Sequence, residues 1–176
     1  MALPAETKQK VLLTAGVLFL IAAVLVISLI GGNMFGRKEV IVGTTIKPED
    51  ITEFYYTYDT STNPPQFQRY RFYVENGKGF FYHEKREGNH WPLTEADATV
   101  KGTIPLTEAE WQEFYSCLEE GVVTKRVENL DSGDSGPWLF LYWKNDKGTM
   151  QVFRFAGYGK QKAFEALCES LKNRTE

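Results

Sequence analysis

Residues 67–86 read FQRYRFYVENGKGFFYHEKR. Two runs rich in aromatic and β-branched residues flank Asn76-Gly77, a pair that favours a two-residue hairpin because both residues tolerate positive φ. In the first run Tyr70, Phe72 and Val74 alternate with Arg69, Arg71 and Tyr73. Period-two alternation is the mark of a strand whose two faces meet different surroundings. The stretch is read as antiparallel strands at 67–75 and 80–86, and the rest of the sheet is built outward from it.

Upstream, ITEFYYTYD (51–59) alternates Phe54, Tyr56 and Tyr58, and VIVGTTI (40–46) is a short strand. Downstream, TVKGTI (99–104) is another. Thr107 with Glu110 three residues later spells a capping box, in which each side chain satisfies the other's orphan backbone amide. Trp111, Phe114, Tyr115 and Leu118 then share one face of a helix, and Gly121 is read as the residue that ends it. The pattern resumes with VVTKRVE (122–128), WLFLYWK (138–144), the turn NDKG (145–148) and TMQVFRF (149–155). A last helix runs from about Lys160 to Lys172, with Phe164, Leu167, Cys168 and Leu171 as its stripe.

These elements look like one unit written twice, at 51–120 and 121–172. The first copy carries an extra segment, Glu87 to Pro105. The fold class expected is α+β: an N-terminal transmembrane helix, then an antiparallel sheet of two β-β-β-α units with two helices packed on one face.

The transmembrane reading comes from VLLTAGVLFLIAAVLVISLIGG (11–32). Val11 to Ile30 is 20 residues without a charge, enough helix to span about 30 Å of hydrocarbon. A cleaved signal peptide would have a shorter apolar run and a small-residue cleavage site. The chain is therefore divided into a tail at 1–10, a membrane span at 11–32, a linker at 33–39 and a soluble domain at 40–176. Lys8 and Lys10 weigh against Arg37 and Lys38 on the far side. A short tail with two lysines favours a cytoplasmic N-terminus and a domain outside the cell membrane. Asn173-Arg-Thr175 also spells a glycosylation acceptor.

Composition narrows the partners. The 176 residues hold 20 basic and 23 acidic side chains, so no nucleic-acid footprint is expected. No cofactor or metal motif is complete. GDSGP (133–137) lacks one glycine of the serine-protease nucleophile motif, and the only histidines are His83 and His90. A serine nucleophile needs a base within reach and a group that orients the base. His83, Glu84, Glu87 and His90 space two histidines seven apart, in and just beyond the strand FFYHEKR, where the helical zinc motif has four. Asp131 and Asp134 do not fit the EF-hand pattern. DSGDSGP, like STNPPQ in the first copy, is read as a strand-to-strand loop rich in turn-forming residues. Cys117 and Cys168, both on helices, are read as core residues, with a disulfide between them as the alternative.

One feature resists assignment to the core. If Leu139, Leu141 and Trp143 face the helices, then Trp138, Phe140 and Tyr142 point away, together with Tyr55, Arg69, Arg71 and Tyr73. Aromatic rings with arginine are the composition of interface centres. Either another layer, such as the 87–105 segment, covers them, or a partner does. The functional expectation is a single-pass, membrane-anchored, extracytoplasmic binding or assembly module without a catalytic site. It would hold lipid through 11–32 and a protein, or a second copy of itself, through that face. The alternative is a small membrane-tethered hydrolase using Asp131 or Ser135 with His83 or His90.

Overall fold

The computed structural model describes residues 39–125, 136–146, 148 and 150–175. The expected membrane span at 11–32 and the loop residues Asp131, Asp134 and Ser135 lie outside them. No helix among the described residues is long and apolar enough to cross a membrane.

In chain order the elements are β1 (Val40–Ile41), a one-turn 3-10 helix (Pro48–Asp50), β2 (Ile51–Thr60), β3 (Gln66–Glu75), β4 (Lys78–Glu87) and a second 3-10 turn (Glu95–Asp97). There follow β5 (Ala98–Pro105), α1 (Glu108–Leu118), β6 (Val122–Lys125), β7 (Gly136–Trp143), β8 (Met150–Arg154) and α2 (Tyr158–Lys172). The strands form one sheet in the order β1-β6-β8-β7-β2-β3-β4-β5, and every strand pair is antiparallel. The fold is α+β, an antiparallel sheet with two helices.

Local sequence explains most of these elements. Asn76 and Gly77 have φ of 52° and 75°, the left-handed pair that a two-residue hairpin requires. Glu75 consequently faces Lys78, and the register runs back from there to Gln66 opposite Glu87. Thr107 Oγ1 accepts from the Glu110 amide at 3.3 Å, while the Thr107 amide donates to Glu110 Oε2 at 2.7 Å. The capping box therefore starts α1 as its sequence requires.

The end of α1 differs from the sequence expectation. The left-handed residue is Glu120, at φ 61°, and Gly121 is small for another reason. A Cβ on Gly121 would lie 2.3 Å from the Phe153 ring. The glycine admits a core phenylalanine and does not supply the turn. The run 40–46 also shortens to a two-residue strand, after which Val42 and Ile46 close a tight turn with both side chains buried.

The linear order of elements recurs in the two halves, but the pairing does not. β2, β3, β4 and β5 are consecutive neighbours, whereas β8 lies between β6 and β7. β6 and β7 are therefore not hydrogen-bonded neighbours as β2 and β3 are. The 87–105 segment extends the sheet with an edge strand, β5.

Both helices pack on one face. Phe72 of β3 stacks on Phe114 of α1 with centroids 4.1 Å apart and planes 2° from parallel. Phe54 of β2 meets Phe114 edge-on at 5.7 Å and Phe164 of α2 at 5.3 Å. Phe54, Phe72, Phe81, Phe114, Leu118 and Leu141 are fully buried. Burying each of these large side chains contributes about 1.5–3 kcal/mol. Cys117 and Cys168 are free thiols inside this cluster. Burial pushes the Cys117 thiol up to about 11 and also raises the Cys168 thiol well above its ordinary value, so both behave as small hydrophobes.

Candidate functional site

The other face of the sheet is assembled by register, since directly opposed residues of antiparallel strands project to the same side. From β7 come Trp138, Phe140 and Tyr142. Opposite them on β2 stand Thr57, Tyr55 and Glu53. Arg69, Arg71 and Tyr73 follow on β3, then Glu84, Tyr82 and Phe80 on β4. All seven residues singled out from the sequence, Tyr55, Arg69, Arg71, Tyr73, Trp138, Phe140 and Tyr142, are on this side.

Two clusters organise it. In the first, Arg71 Nε donates to Glu53 Oε1. The guanidinium lies 4.2 Å from the Tyr73 ring centroid and 5.5 Å from that of Tyr55. Tyr55 meets Tyr142 edge-on at 6.0 Å, and Tyr73 stacks on Phe80 at 5.4 Å. Burial, reinforced by the hydrogen bond and charge of Glu53, pushes the Tyr55 hydroxyl up to about 12. That phenol is neutral at physiological pH and its hydroxyl is engaged with Glu53.

The second cluster surrounds Glu84, which is only 3% exposed. Arg86 Nε donates to it at 2.7 Å and the Tyr82 hydroxyl at 2.9 Å, with Arg69 Nη1 at 4.0 Å. Burial alone would raise the Glu84 carboxyl. The bonds from Arg86 and Tyr82 outweigh it, and the net shift is downward. Arg86 and Arg69 also lie over the Phe67 ring, at 4.2 and 5.1 Å. Arg69 Nε reaches Thr57 Oγ1 at 3.2 Å.

Cover over this face is partial. Arg86 Nη1 donates to the Leu93 carbonyl at 3.2 Å, and Leu93 is buried. The 87–105 segment therefore closes the corner at Phe67 and Arg86. Across β7, β2 and β3 the rings and arginines are half-buried, and Trp138 is 38% exposed.

The residues considered for catalysis are placed as follows. His83 points to the helix-bearing face at 1% exposure, with Nδ1 3.1 Å from Thr175 Oγ1 and its ring 5.3 Å from that of Tyr70. Its neighbour Glu84 points to the opposite face. His90 Nε2 lies 3.1 Å from Asp97 Oδ1 in the exposed 88–97 segment. The strand pleat thus separates His83 from Glu84, and His90 is engaged elsewhere. Among the described residues no three metal-ligating side chains converge. Asp131, Asp134 and Ser135 lie outside the described residues.

Sequence reasoning missed Glu53 and Thr57, which hold Arg71 and Arg69, and Tyr82, which donates to Glu84; it weighed Glu84 only as a metal ligand and not as the partner of Arg86. A signal for two of them existed. With Asn76-Gly77 as a two-residue turn, counting back along both strands sets Arg69 opposite Glu84 and Arg71 opposite Tyr82. Glu53 and Thr57 depend on the β2–β3 register, which no comparably short turn fixes.

No protein-family model, no curated protein and no solved structure matches the chain. The functional reading therefore rests on the geometry of this face and on the N-terminal sequence.

Proposed function

We propose that this chain is a single-pass membrane-anchored binding or assembly module, held by a transmembrane helix at 11–32 with residues 40–176 outside the cell membrane. It takes a protein partner, or a second copy of itself, on the helix-free face of the sheet. The observation that carries the reading is the row of exposed Trp138 and half-buried Phe140 and Tyr142 beside Tyr55, Arg71 and Tyr73. Rings and guanidinium groups of this kind are enriched where binding energy concentrates. The ion pairs within the face already satisfy its charges, so a partner can cover it without stranding a buried charge. Tethering raises the local concentration of partners in the same membrane, so modest affinity suffices. The uncharged run of 20 residues supports the anchor.

The test is site-specific photocrosslinking of the full-length protein in its native membrane. A photoreactive residue at position 138 is expected to give an adduct of one defined mass. The same probe at the exposed Glu120 should give none, and Tyr142→Ser should diminish the adduct at 138. Absence of any adduct at 138, with the protein recovered in the membrane fraction, would contradict the interface. Recovery of the protein in buffer without detergent would contradict the anchor.

A further inference from the structure

The helix-bearing face holds a feature that the proposed interface does not use. Beside α2 it opens into a cleft of about 290 Å³, just below the range, roughly 300–1,000 Å³, typical of small-molecule sites. Its sheet side is a square of cross-strand neighbours, Tyr56 opposite Tyr70 and Tyr58 opposite Gln68. Its helix side is Glu165 and Glu169, one helical turn apart, with Phe164 at the base. The Tyr56 ring lies 5.8 Å from Tyr70 and 5.9 Å from Phe164. Gln68 Nε2 donates to the Tyr70 hydroxyl. Lysine, arginine and histidine are absent from its lining among the described residues.

These groups define a ligand chemistry. An anion would meet two carboxylates. A neutral apolar molecule would strip water from carboxylates and phenols and return no hydrogen bond. A polyol could stack on the rings but carries no charge to bring to the two carboxylates. A weakly hydrated organic cation satisfies both parts, because tyrosine faces attract its charge and its methyl groups replace water against the rings. Burial is the main cause that raises the Tyr56 hydroxyl, and the Glu165 charge adds to it, so the potential of that carboxylate reaches the tyrosine wall. Glu165 also accepts from Lys162 at 2.7 Å and from Gln161 at 2.9 Å, and Glu169 pairs with Lys172 at 2.8 Å. The two lysine contacts are i,i+3 surface pairs, weak enough to share their carboxylates with an arriving cation.

We propose that this cleft binds a small quaternary ammonium compound, with its methyl groups on the tyrosine rings and its charge toward Glu165 and Glu169. Such a group could come free, as in choline, or from a lipid headgroup. The test is calorimetric titration of the full-length chain in maltoside micelles with choline chloride, and separately with glycerophosphocholine, the water-soluble lipid headgroup. Choline should bind with a dissociation constant of roughly 1 mM, and potassium chloride should give no binding. Glu165→Gln with Glu169→Gln should weaken choline about tenfold without lowering the thermal midpoint. Tyr58→Leu should do the same, and the paired glutamate variant keeps the test intact if that change perturbs folding. Weaker binding of glycerophosphocholine than of choline would support a free ammonium, and equal binding a headgroup. No choline binding up to about 50 mM, or undiminished binding to the paired glutamate variant, would overturn the site.

Discussion

Both faces of the sheet are aromatic, and they hold their rings in opposite ways. On the helix-bearing side Phe54 and Phe72 are fully buried against Phe114 and Phe164, Phe81 is buried against Phe72, and ring meets ring with no charge between. On the other side Tyr55 and Tyr73 flank Arg71, and Arg69 and Arg86 lie over Phe67. There the rings of Tyr55, Tyr73 and Phe67 adjoin guanidinium groups whose charge Glu53 and Glu84 answer. The first arrangement stabilises by removing apolar surface from water. The second tolerates water, because its polar groups are already paired, and it still presents broad, rigid contact area. One strand set thus supports a core and a surface of different chemistry, and the two should respond differently to substitution.

The largest effect belongs on the core side. Phe72→Ala removes a fully buried ring stacked on Phe114, and should lower the unfolding free energy by about 3–5 kcal/mol. Urea denaturation checks it. A loss below about 1 kcal/mol would mean that the helices are not held by these rings.

The next effect tests whether charge on the other face is structural. Glu84→Gln removes a buried acceptor charge from Arg86, Arg69 and Tyr82, and should lower stability by about 1–3 kcal/mol near neutral pH. The sign with pH follows from the lowered Glu84 pKa. The folded state holds this carboxylate charged more strongly than the unfolded chain does. Its contribution is therefore complete above the ordinary carboxylate range and lost as pH falls through the folded pKa. Wild type should lose this increment on acidification, and Glu84→Gln should not. Denaturation midpoints of the two proteins from neutral to acid pH should converge. Parallel curves would mean that the cluster does not hold Glu84 in its charged form.

The sequence disclosed the core side more fully than the other, for a physical reason. Apolar alternation in 67–75 and 51–59, the Asn76-Gly77 turn and the Thr107 capping box are local codes, so they were readable without a fold. The outward direction of Tyr55, Arg69, Arg71, Tyr73, Trp138, Phe140 and Tyr142 was readable for the same reason, since alternation names both sides at once. What joins the arginines to Glu53 and Thr57 was not, because those contacts depend on how β2 registers against β3. Strand order was not readable either. The position of β8 between β6 and β7 is a long-range choice, and two halves with the same element order hid it. Gly121 was legible as an ending and not as a neighbour of Phe153, because a close approach requires the partner's location.

The smallest predicted effect is also the most direct test of the division between the faces. It is the urea unfolding free energy of the variant Trp138→Ser with Tyr142→Ser. Trp138 is 38% exposed, and Tyr142 makes an edge contact with Tyr55. The pair should therefore cost about 1 kcal/mol or less. A loss of about 3 kcal/mol or more, the scale of a core ring, would make these aromatics part of the core and contradict the account.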